Sequence, residues 1–279
     1  MSRSFNFSVL AGEIKTTVVT DELALEESLR SLLSKTYGKT DLLMERQTCQ
    51  KKITGKLHGR ARRGNVGRDL ERVVALDMEE SFCSASYGTV KERVVARRGN
   101  VGRDLERVVA LDIEKSFCSA SYGMVKERVV VLILGVDNDC LIIHLTHFEK
   151  VPTSLSKFLD LSDITFVGVS IKSNLADLQR DYGIQCRNGV DLGVFAAAVR
   201  ASPGISAYPL PYLFKCIVPL ISNDTYSTNT FSNNAFCKPA DVAFSEWGTS
   251  MLSEKQIEHA SLVVHMTFKI VEQLWPAYA

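Results

Sequence analysis

An α/β fold is predicted, on three observations. Apolar, β-branched runs such as VVVLILGV (Val129–Val136) and ITFVGV (Ile164–Val169) have the length and composition of buried strands. Between such runs lie segments whose apolar residues recur at helical spacing behind residues suited to helix caps. Gly, Pro and Asn punctuate the borders between the two kinds of segment. With 46% hydrophobic and 23% charged residues, a chain of 279 residues can bury a sizeable core. The net charge of +1, from 33 basic and 32 acidic residues, supplies no whole-protein field for nucleic acid or anionic membrane, so any basic footprint must be local.

In chain order, Phe5–Leu10 and Glu13–Val19 read as strands of a hairpin around Ala11-Gly12. Thr20 or Asp21 caps a helix that carries Leu25, Leu29, Leu32 and Leu33 on one face and ends near Ser34. From Tyr37 to Arg72 the periodicity fades and Lys and Arg accumulate, which reads as a basic, solvated connector. Residues 1–35 are thus the hairpin and helix of the main domain, residues 36–95 an insertion made of the connector and a first repeat copy, and residues 96–279 the remainder of the core.

The repeat is a tandem duplication. Ala61–Val95 and Ala96–Val130 differ only at Met78/Ile113, Glu80/Lys115 and Thr89/Met124. Its period of 35 residues lies in the range of helical solenoids, but each unit holds one strand, RVVALD, and a turn-like SFCSASYG instead of a helix pair. Two copies are also too few to bury solenoid faces. Only the second copy runs directly into VVVLILGV, so RVVALDIE (Arg107–Glu114) is expected to be the central strand and the first copy an insertion.

Beyond it, Asp137-Asn138-Asp139 joins Val129–Val136 to a strand at Cys140–Leu145. Ser154 is expected to cap a short helix, Asn174–Tyr182 to form a helix stopped by Gly183, and Val190–Leu192 a short strand before an alanine-rich helix. Tyr208–Ile221 is apolar and Pro-punctuated, and Ser222–Phe236 reads as a polar loop. Ser253-x-x-Gln256 opens a last helix as a capping box, with Ile257, Ser261, Val264, Phe268 and Val271 along one stripe.

A strand ending in D-x-E, a hairpin into LIIHL, then FVGVSIKSNLADLQRDYG, GVDL and W-x(4)-LSEKQIEHA together resemble the DEDD 3′–5′ exonucleases, most closely the plant-type Werner syndrome exonuclease-like proteins. The resemblance covers about Phe5–Ser34 and Arg107–Leu274. It implies an RNase H-like mixed sheet flanked by helices, with an N-terminal hairpin and helix. It also implies four carboxylates and a water-orienting tyrosine that work with two Mg²⁺ or Mn²⁺ ions on the scissile phosphate.

On these motifs, Asp112 and Glu114 supply the first, and Asp77 and Glu79 repeat it in the first copy. The second-motif aspartate falls on Asn174, and the third-motif Y-x-x-x-D falls on His259 and Val263. Asn174 keeps an oxygen but loses a charge, while Val263 offers no ligand. The histidine variant H-x(4)-D is closed because Val264 stands five residues after His259. Asp177 would compensate only if its helix slid, which close packing resists. The expectation is a degenerate, catalytically inactive exonuclease-like domain that binds single-stranded nucleic acid or a protein partner. The alternative is a weak 3′–5′ exonuclease on DNA or RNA, with Mg or Mn held by Asp112 and Glu114. No cofactor is expected otherwise. A phosphate-binding role for Arg62, Arg63, Arg97 and Arg98 is the functional reading of the basic runs.

Cys140, His144 and His147 alternate along a strand without a suitable fourth zinc ligand. The seven cysteines form no CxxC and are expected to be free thiols. The opening MSRSFNFSVLAGE lacks a secretory apolar core and no run is long enough to span a bilayer, so an intracellular protein, cytoplasmic or nuclear, without membrane contact is expected.

Overall fold

The computed structural model describes residues 2–9, 12–36, 107–119, 125–218 and 238–278. The basic connector, the first repeat copy with Asp77 and Glu79, the arginines 62, 63, 97 and 98, and the polar loop at 222–236 lie outside the described residues.

The N-terminal hairpin is present as β1 (Ser2–Val9) against β2 (Gly12–Val19). α1 (Glu22–Thr36) follows, its first turn capped by the Asp21 carboxylate, which accepts from the Ala24 N–H at 3.0 Å. β3 (Val108–Ser119) comes from the second repeat copy and is an interior strand, antiparallel to β4 (Val125–Val136) and parallel to β6 (Thr165–Gly168). Val108, Val109, Ala110 and Leu111 are all buried, as an interior strand covered on both faces requires. With β5 (Asp139–His144) and β7 (Gly189–Asp191), the order is β1-β2-β5-β4-β3-β6-β7 in one mixed sheet of seven strands among the described residues.

The alternation of side chains makes this sheet the middle of three layers. Val167 lies in the core cluster formed with α4 (Leu192–Arg200), α5 (Leu210–Ile217) and α7 (Glu254–Tyr278). Its neighbour Phe166 points the other way and meets Phe158 of α2 (Thr153–Leu159) edge-on, with ring centroids 5.7 Å apart. α1 and α3 (Ile171–Tyr182) pack on that second face. Ala110 pairs with Gly135, where an added Cβ would stand 2.8 Å from the Val264 side chain, so glycine lets α7 approach β4 closely. Asp112 and Glu114 share the parity of Ala110 and therefore face α7.

The capping box of α7 is made: the Ser253 N–H donates to Gln256 Oε1 at 2.8 Å, and the Gln256 N–H donates to Ser253 Oγ at 3.3 Å. The predicted stripe is buried, including Ser261, whose hydroxyl lies 2.7 Å from that of Thr16 on β2.

Two local expectations are corrected. SFCSASYG is no turn at its start, because β3 continues to Ser119 and pairs with β4 to Val125. Ser154 is not a cap: Pro152, with φ of −61°, occupies that position, so Ser154 falls inside the first turn and its buried hydroxyl finds no partner among the described residues. The Pro-punctuated segment contains α5, which starts just after Pro209 and buries Leu213, Phe214 and Ile217. Among the described residues, no helix is long and apolar enough to cross a membrane.

Candidate functional site

The site is built where β3 passes between α3 and α7. Asp112 sits at the start of α3, and Asn174 Nδ2 donates to its Oδ1 at 3.3 Å and to the Val169 carbonyl at 3.5 Å. Burial, reinforced by the charge of Glu114, pushes the Asp112 carboxyl up to about 7.

Glu114 is held differently. Lys238 Nζ donates to both of its carboxylate oxygens, each at 2.7 Å. Burial raises the Glu114 pKa and the Lys238 bond opposes that rise. The Lys238 ammonium also lies 5.0 Å from the centre of the buried Trp247 ring, over its face. His259 is half-buried, and burial together with the Lys238 charge holds its imidazole down at about 4, neutral at physiological pH. One turn on, Val263 packs against the apolar cluster of α4, α5 and α7.

A bulge follows at once. Glu114 pairs with Val131 but Lys115 pairs with Val129, so β4 carries an extra residue at Val130. Lys115 turns to the α3 side and meets Asp177 at 2.6 Å and Glu127 at 3.3 Å. Asp177 also binds Arg180. Asp177 is therefore engaged by two cations on the α3 side of the sheet.

The profile of the 3′–5′ exonuclease family matches residues 92–278, which include every element just described. The chain belongs to the 3′–5′ exonuclease family. Among solved structures, Brucella melitensis NrnC is 19% identical, with 63% of this chain covering 74% of that one at a TM-score of 0.44. Escherichia coli RNase D is 17% identical with a TM-score of 0.43, and the catalytic core of Trypanosoma brucei RRP6 is 13% identical with a TM-score of 0.44. The match spans only 43% and 44% of those two chains. No curated protein matches the sequence.

Of the residues singled out in the sequence, the fold brings Asp112, Glu114, Asn174 and His259 to one place and turns Val263 toward the core. The donor set fits an exonuclease metal pair poorly. Asn174 presents its amide N–H to Asp112, Lys238 occupies both oxygens of Glu114, and no group of three His, Cys, Asp or Glu able to hold a metal occurs among the described residues. Lys238 is the residue that sequence reasoning missed. It stands 124 positions from Glu114 beside Pro239, with no spacing that points to a carboxylate.

No zinc site forms from the histidine pair. His144 Nδ1 lies 2.7 Å from the Thr146 hydroxyl, His147 Nε2 lies 2.9 Å from the Ser250 carbonyl, and the buried Cys140 thiol is pushed up to about 12 by desolvation.

Proposed function

We propose that this member of the 3′–5′ exonuclease family is catalytically silent and acts as a nucleic-acid-binding module. Within the family, the ordered FVGV…DYG and LS-x-x-QI blocks support a kinship with the plant-type Werner syndrome exonuclease-like proteins. The observation that carries the reading is the Lys238 ammonium on both oxygens of Glu114. In-line cleavage by this family's chemistry needs cations placed together on both sides of the phosphate and a positioned water. Here the second-motif position is an amide, the tyrosine position is a neutral imidazole, and the last ligand position is an isopropyl group facing the core. What remains is a Lys238–Glu114 pair with N–H donor capacity to spare and a neutral imidazole, which suits a hydrogen-bonded contact to a phosphodiester more than its cleavage.

The test is a metal-titrated nuclease assay and a binding assay on one preparation. A 5′-labelled single strand is expected to stay intact in Mg²⁺ or Mn²⁺ and to be bound with an affinity that falls steeply with salt. Replacing Arg62, Arg63, Arg97 and Arg98 together by Ala measures the share of the basic runs in that binding. Metal-dependent shortening from the 3′ end, abolished by Asp112→Ala, overturns the reading in favour of a weak exonuclease. A rescue is the sharper test: Asn174→Asp and Val263→Asp supply carboxylates and His259→Tyr the tyrosine, but activity is expected only when Lys238→Gln accompanies them.

A further inference from the structure

We infer that Lys238 is a tethered cation standing in for metal at the first-motif carboxylates, closing them to divalent ions and giving the site a metal-independent contact for a phosphodiester. The second half of this inference rests on the nucleic-acid reading above; the first half does not.

The backbone beside the lysine is anchored. Pro239, immediately after it, is the N-cap of α6 (Ala240–Ala243), and its carbonyl accepts from the Val242 and Ala243 N–H groups at 2.9 and 2.7 Å. The segment after α6 is fastened twice. Gln256 of α7 donates to the Ser245 hydroxyl at 3.0 Å and to the Glu246 carbonyl at 3.2 Å, and Glu246 accepts from Ser116 of β3. Ser116 lies two residues beyond Glu114 on the same face of β3. Lys238–Glu114 and Glu246–Ser116 are therefore two rungs of one clamp. Gly248 fits its end, since a Cβ there would stand 3.0 Å from Ser116 Oγ. The Trp247 ring also lies against the ammonium, its centroid 5.0 Å away.

The charge account is consistent with one monovalent cation. Asn174 and Val263 remove the two carboxylates that would call for more positive charge, and the cation left over is the one the chain itself supplies. An ammonium has three N–H donors, of which Glu114 takes two, and Lys238 remains exposed on its outer side. A phosphate oxygen can take the third without displacing the pair.

The experiment uses the full chain as wild type, Lys238→Gln, Lys238→Arg, Asp112→Asn and the double variant Asp112→Asn/Lys238→Gln, with folding checked by circular dichroism. Bound Mn²⁺ is read by water-proton relaxation, and a fluorescent single-stranded oligonucleotide is titrated in EDTA at several salt concentrations. Expected are no Mn²⁺ binding by wild type or Lys238→Arg, a gain in Lys238→Gln, and loss of that gain in the double variant. Wild type is expected to bind the oligonucleotide equally with and without EDTA, and Lys238→Gln to lose about one unit of the salt slope. Mn²⁺ binding by wild type that Asp112→Asn removes overturns the tethered cation, and so does a folded Lys238→Gln protein that gains no Mn²⁺. If Lys238→Gln does not fold, the comparison of wild type with Asp112→Asn decides by the same Mn²⁺ criterion. Failure of wild type to bind the oligonucleotide while the Mn²⁺ results hold defeats the nucleic-acid reading and leaves the tethered cation standing.

Discussion

Two aspartates, the buried Asp177 of α3 and the half-buried Asp112 of the adjacent β3, are treated by the fold in opposite ways. Asp177 is held by Lys115 at 2.6 Å and by Arg180, on the sheet face away from α7. Asp112, on the α7 side, receives an amide from Asn174 at 3.3 Å and no directly bonded cation among the described residues. The first arrangement stabilises a charge as part of the scaffold; the second leaves a carboxyl whose proton is held up to about 7. The register shift between Glu114 and Lys115 marks the point on β3 where the contacts pass from the α7 side to the α3 side.

The largest effect is expected from Lys115→Glu, which places a carboxylate beside Asp177 and Glu127. Asp177 is buried but Lys115 is only half-buried, so breaking the pair costs about 2 kcal/mol, and urea unfolding should report a loss of that order. A change below about 1 kcal/mol would mean that Asp177 does not depend on Lys115 and would break the comparison. The same substitution is what the first repeat copy carries at Glu80, so this pair also gives a physical reason why the second copy suits the position in β3.

A smaller effect is expected at Asp112, in metal-free buffer. Its folded carboxyl titrates near 7 against 3.8 in an exposed chain, so the folded state holds the proton more tightly. The resulting stability is complete below about pH 4 and is lost as pH rises through 7. His259, held down at about 4, has the reverse slope, losing stability as pH falls from 6.5 toward 4. Comparing Asp112→Asn with wild type isolates the carboxyl: the variant should gain about 1 kcal/mol per pH unit between pH 5 and 7. A difference that stays constant over this range would place the Asp112 titration elsewhere.

The smallest effect is expected at the exposed pair Lys255–Asp241, where Lys255→Ala should change stability by less than about 0.5 kcal/mol. A loss comparable to that of Lys115→Glu would show that burial is the wrong variable for ranking these ion pairs.

The sequence by itself determined the features that are local or strictly ordered. The hairpin, the capped α1, the D-x-E strand, the Gly183 stop and the Ser253-Gln256 box are written in residues a few positions apart, and each is found in the fold. The alignment of Asn174, His259 and Val263 with an ordered set of motifs is likewise a reading of the sequence alone. Tertiary structure alone decided what those residues touch. The Lys238–Glu114 bond spans 124 positions and Glu246–Ser116 spans 130, and such pairs leave no periodic trace because neither partner constrains its own neighbours. Strand alternation and the bulge then sent Lys115 to Asp177 and Glu114 to Lys238, although they are adjacent in the chain. Whether Asp112 keeps its proton depends on what packs over it, since desolvation is a property of the assembled layers and not of the residue.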